Sequence, residues 1–76
     1  MSEQTFGQKA VGLSFNPSND GSVQRLKLLY AQIIDELHSF RTFGDAGPEH
    51  RRLASIAITE AQGAQMWAVK AVTWKD

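Results

Sequence analysis

From Ser22 onward, apolar or aromatic residues recur at Val23, Leu26, Tyr30, Ile33, Leu37 and Phe40. These alternating steps of three and four stack on one face of a helix with 3.6 residues per turn. The pattern predicts a first helix over residues 22–41, with Ser22 as its N-cap. The stretch "RTFGDAG" breaks the pattern, with Gly44 placed as a C-cap. The "GP" at positions 47 and 48 then puts proline where a first helical turn accepts it. A second helix is predicted over residues 48–74, and it carries two stripes. Leu53, Ala57, Glu60, Ala64, Trp67, Ala71 and Trp74 form one, and Ile58, Ala61, Gln65, Ala68 and Val72 form its neighbour. Ahead of both helices, residues 1–21 alternate at Val11, Leu13 and Phe15 and then run into "NPSNDG", in which Pro17, Asn19, Asp20 and Gly21 are turn formers. The expected fold class is all-α: one domain over residues 1–76, an antiparallel two-helix hairpin with an N-terminal extended arm and turn, assembling as an oligomer.

Oligomerisation follows from the second helix. A single antiparallel neighbour covers one stripe of a helix and leaves the other bare, while alanines and Gly63 allow close helix approach. Trp67 and Trp74 are then either hairpin core or core completed by a second chain, with Trp74, near the chain end, favouring subunit contact. Size points the same way. A domain of 76 residues buries only about 60% of its unfolded surface. With no cysteine for a disulfide or a thiolate metal site, association is the remaining source of stability. Eight basic residues balance eight acidic ones, so no net field draws a nucleic-acid polymer or an acidic membrane. No apolar run approaches the roughly 20 residues of a membrane span, and "MSEQTFGQKAVG" lacks the charged start and apolar middle of a secretion signal. A cytoplasmic protein is expected.

Catalytic chemistry finds no constellation. His38 and His50 flank the interhelical loop without metal-ligand spacing, and Asp35 and Glu36 are adjacent on a helix and point apart. No glycine-rich phosphate loop or paired nucleophile and base is present. The expectation is no enzyme, no metal and no cofactor. Two features remain. "HRR" at 50–52 sets arginines in the first turn of the second helix, where the macrodipole disfavours cations unless an anion or an acidic neighbour compensates. "LSFNPSNDG" sets Phe15 just before a turn of backbone donors and small polar side chains, an arrangement that suits a nucleobase and its phosphate. Phe15 equally fits a hydrophobic staple for the first helix.

The block "SIAITEAQGAQMWAVKAVTW", with "LSFNPSNDG" ahead of the first helix, resembles the small phage proteins that defeat the CBASS immune system by sequestering its cyclic nucleotide messengers. Their hairpin domain is shared with the related anti-Thoeris sponge. The resemblance runs from about residue 13 to residue 74. It is tightest at Ser55, Ala57, Thr59, Ala64, Met66, Trp67, Ala68 and Ala71, and Arg52 matches an arginine that commonly precedes this block. Phe15, Asn16 and Pro17 stand where the family often has a tyrosine in an aromatic, histidine or asparagine, proline motif.

The resemblance implies interlocked dimers associating as a hexamer, with cyclic dinucleotides bound between protomers and not cleaved, in the cytoplasm of the infected bacterial host. Phe15 then stacks on a base. A lysine of the first helix meets phosphate, and its place falls near Tyr30 while the nearest base is Lys27. Family members also bind cyclic trinucleotides at a separate site, for which Asn16 and either Lys70 or Lys75 stand here, and related proteins bind cyclic ADP-ribose variants. Phenylalanine for tyrosine keeps the π-face and loses a hydroxyl. The competing class is a helical-hairpin oligomerisation or adaptor module that binds another protein.

Overall fold

A computed structural model describes residues 3–76 as three helices, and no strand occurs among the described residues. The first two residues of the predicted arm lie outside the described part. Helix α1 spans Phe6–Ala10, α2 spans Gly21–Phe43 and α3 spans Pro48–Thr73.

The N-terminal arm departs from the extended form expected of it. Thr5 and Gln8 make a reciprocal capping box: the Gln8 amide donates to Thr5 Oγ1 at 3.1 Å, and the Thr5 amide donates to Gln8 Oε1 at 3.0 Å. Two of the free N–H groups that oppose helix initiation are thereby bonded. The alternation of Val11, Leu13 and Phe15 belongs to turns, not to a strand. Gly12 adopts φ +64°, a left-handed conformation that glycine enters without steric cost. Val11 is buried, Leu13 is half-buried and Phe15 is exposed.

Helix α2 starts one residue before the expected range because Asp20, not Ser22, is the N-cap. Its carboxylate accepts from the Ser22 amide at 2.7 Å, and a negative charge there also meets the helix dipole favourably. A staple role for Phe15 falls with this, since the residue before the cap is Asn19 and the Phe15 side chain is 71% exposed. Gly44 is the C-cap, its amide donating to the Phe40 carbonyl at 3.3 Å, and Pro48 opens α3.

The buried stripe of α2 is Val23, Lys27, Ala31 and Ile34, rotated from the expected one. The reason is α1, which packs along α2 beside α3 and shifts the centre of burial toward Ala31. Ile33, half of its surface exposed, and Phe40 are left uncovered. On α3, Ala54, Ile58 and Gln65 are buried, so the stripe containing Ile58 is the one that packs on α2. The stripe of Leu53, Glu60, Trp67 and Trp74 is exposed, which removes Trp67 from the hairpin core and Glu60 from any buried seam within the protomer. Val11, Ala31, Ile34 and Ile58 form the core cluster, with Tyr30 and Leu37 packed against it. The Cα extents are 46 × 33 × 12 Å. The shortest is about one helix diameter, so the molecule is a single layer with two broad faces.

Candidate ligand-binding site

A turn and the two helix segments beneath it build the site. Asn16 to Asn19 make a β-turn, with Pro17 at the position its fixed φ favours, the Asn19 amide donating to the Asn16 carbonyl at 3.0 Å, and Asn19 at φ +53°. The Asn16 amide nitrogen donates to the Asp20 carbonyl at 3.1 Å, and its oxygen accepts from Ser18 Oγ at 2.8 Å. Asn16 therefore holds the loop in shape.

Lys27 fastens this loop to α2. It is 5% exposed, and its ammonium donates to the Gly12 carbonyl at 3.0 Å and to the Phe15 carbonyl. The same Nζ stands 5.5 Å from the Phe15 ring centroid. Two carbonyls and a ring face compensate the cost of burying the charge. Lys27 thus acts first on the backbone that carries Phe15.

Phe15, Asn16, Pro17 and Lys27 line one cavity of about 240 Å³ with Ser18, Val23, Val69 and Thr73. Of the eight residues singled out in the sequence, these first four come together. Tyr30 does not reach the cavity lining; it is half-buried against the core. Thr59 is exposed and donates back to the Ser55 carbonyl at 3.2 Å. Arg52 forms a bidentate pair with Glu49, at 2.9 and 2.7 Å. The guanidinium holds the Glu49 carboxyl below its ordinary range, and Glu49 in turn raises Arg52. Arg51 donates to the Ala46 carbonyl at 2.8 Å, so both arginines of the "HRR" turn have local partners. Lys70 lies over Trp67 and Trp74, with centroid distances of 5.3 and 5.8 Å, as an exposed cation–π group.

Val69 and Thr73 were not singled out as site residues in the sequence. Their signal was present: they follow Gln65 by steps of four, one residue on from Ala68 and Val72 of the predicted stripe. A second cavity, of about 320 Å³, lies at the other end of the layer between Leu37, Phe40, His50, Leu53, Ala54 and Ala57 and is almost wholly apolar. No helix is long and apolar enough to cross a membrane among the described residues.

No curated protein and no solved structure matches the chain. A model of the Acb2/Tad1 hairpin domain matches residues 8–73, a span that takes in the Phe15 turn, all of α2 and all of α3. The chain belongs to this family, that of the anti-CBASS and anti-Thoeris sponges.

Proposed function

We propose that the protein sequesters a cyclic dinucleotide messenger without cleaving it, seating a base on Phe15 in a cleft that a second copy of the chain completes. The observation that carries this reading is the Phe15 ring itself. It is 71% exposed, yet its backbone is pinned by a buried ammonium at the mouth of a cavity. A large aromatic whose backbone is fastened and whose ring is left open serves no core, and it is the kind of group on which a nucleobase stacks. The walls are almost wholly apolar, with Val23 and Val69 among them, and the Ser18 and Thr73 hydroxyls donate to Asn16 Oδ1 and to the Val69 carbonyl.

The need for a second copy follows from size. About 240 Å³ is less than the roughly 300–1,000 Å³ of pockets that enclose a drug-sized ligand, so one protomer offers part of a site. The accessible surface is 5574 Å², about 1,000 Å² more than the roughly 4,600 Å² expected of a compact monomer of 8.4 kDa. That excess matches the roughly 800 Å² per partner of an ordinary protein interface. The surface to be covered is the side of the hairpin opposite α1, which takes in the exposed Leu29 and Ile33 of α2 and the place where Phe40 adjoins Leu53, Ala54 and Ala57 of α3. Sequestration asks only for tight binding, and a nanomolar Kd corresponds to about −12 kcal/mol.

The test is calorimetry with cyclic di-AMP, cyclic di-GMP and cyclic GMP-AMP. Wild-type protein is expected to bind at least one of them. Phe15→Ala is expected to weaken that binding by about 1–3 kcal/mol, roughly five- to 150-fold, with the helical content unchanged. Equal affinity of the variant would remove Phe15 from the site. A panel with no binding would favour the adaptor reading.

A further inference from the structure

The N-terminal segment is also fastened to α2 at a point remote from the cavity. Asp35 follows Lys27 by eight residues, roughly 12 Å along the helix axis. It uses both carboxylate oxygens: Oδ1 accepts from the Gly7 amide at 2.6 Å, and Oδ2 accepts from Thr5 Oγ1 at 2.7 Å. The Gly7 amide belongs to the first turn of α1, where no intrahelical acceptor exists, and a carboxylate there makes charge-assisted bonds roughly twice as strong as neutral ones. Gly7 is buried against the backbone of α2. A Cβ at this position would lie 2.1 Å from the Ala31 carbonyl oxygen and 2.9 Å from Asp35 Oδ1, so only glycine permits the approach. Phe6 adds a ring stacked on His38, with centroids 4.0 Å apart and planes within 6°, and Arg41 lies 5.3 Å from the Phe6 centroid.

What joins this clasp to Phe15 is continuous hydrogen-bonded backbone. The Val11 amide donates to the Gly7 carbonyl, Gly12 to Lys9, Leu13 to Gln8 and Phe15 to Gly12, at 2.9 to 3.1 Å. The Ala10 carbonyl accepts from Gln62 of α3 at 3.3 Å. No slack lies between α1 and the aromatic, so a shift of α1 on α2 is carried to the cavity mouth.

We infer that Asp35, with the glycine seat at Gly7, is a positioning residue for the ligand, setting the place of Phe15 while touching no part of the bound molecule. This rests on the sponge reading above.

The experiment is a double-mutant cycle by calorimetry, using whichever of the three cyclic dinucleotides the wild-type protein binds most tightly. Asp35→Ala and Gly7→Ala are each expected to weaken binding about tenfold or more. Asp35→Ala added to Phe15→Ala is expected to change affinity less than about twofold, because a residue that acts through Phe15 has nothing left to act on. Asp35→Asn keeps an oxygen for the Gly7 amide and is expected to stay within about threefold of wild type. Hydrogen exchange should show amides 6–15 opening in Asp35→Ala while those around Ile34 and Ile58 stay protected. Thr5→Ala, at an exposed residue that loses half of the clasp, gives a milder loss of the same kind should Asp35→Ala not fold. Unchanged affinity of the clasp variants, or an equal loss with and without Phe15, would overturn the inference while leaving the sponge reading standing. A wild-type protein that binds none of the three would overturn both.

Discussion

Lys27→Met is expected to weaken ligand binding at least as much as loss of the Phe15 ring, and to do so equally at low and high salt. Methionine keeps most of the buried stem and removes the ammonium, so the Gly12 and Phe15 carbonyls lose their shared donor. The Gly12 carbonyl keeps the Phe15 amide as a donor, whereas the Phe15 carbonyl left without a partner costs about 1–3 kcal/mol, and the loop relaxes away from α2 to let water in. The resemblance implied a phosphate contact, whose strength falls as salt rises because exposed charges are screened over about 10 Å at 0.1 M. A side chain 5% exposed and bonded to two carbonyls is not screened in this way. Calorimetry at about 0.05 and 0.5 M salt checks the point. A loss that fades at high salt would return Lys27 to direct phosphate contact.

Ile33→Glu is expected to give folded monomers where the wild-type chain is expected to associate. Ile33 and Asp35 are two residues apart and so point to nearly opposite sides of α2: Asp35 holds α1, and Ile33 is half exposed on the bare side. A carboxylate in water on a lone protomer costs little, whereas burying it without a partner between two chains costs several kcal/mol. Sedimentation should give an oligomer for wild type at micromolar concentration and a monomer with unchanged helicity for the variant. A wild-type monomer would remove the assembly from the account, and a variant that still assembles would place the interface elsewhere. Trp67 and Trp74 belong to the same question. Both indoles are exposed in the protomer, Lys70 lying over them and Trp74 Nε1 donating to Asp76, so any large penalty for Trp67→Ala is expected to appear in assembly and not in the hairpin.

The two long helices were legible because their punctuation is local: Gly44 and Pro48 end one helix and open the next. Helix α1 was missed because five residues carry no periodic stripe. Its signal was the Thr5 and Gln8 capping box, three residues apart. The rotation of the α2 stripe was hidden for the same reason, since only the docking of α1 makes Ala31 more buried than Ile33. At the site, Phe15, Asn16 and Pro17 were readable as an aromatic before a turn. That Lys27 grips the turn from below is a contact between residues 12 and 15 apart, set by tertiary packing and not by spacing. Arg52 and Thr59 were carried by resemblance in the α3 block, and in the protomer both have local partners away from the cavity.

A small protein that removes a signal either hides it or destroys it, and one measurement separates the two. Two of the carboxylates are already engaged, Asp35 by Thr5 and Gly7 and Glu49 by Arg52. The protein is saturated for hours with its preferred cyclic dinucleotide in the presence of magnesium, desalted, and opened by heat or protease, and the released material is separated by chromatography. Intact cyclic ligand in a fixed ratio to protomers is the predicted result. Linear dinucleotide or mononucleotides in excess over protein would show turnover and contradict the account.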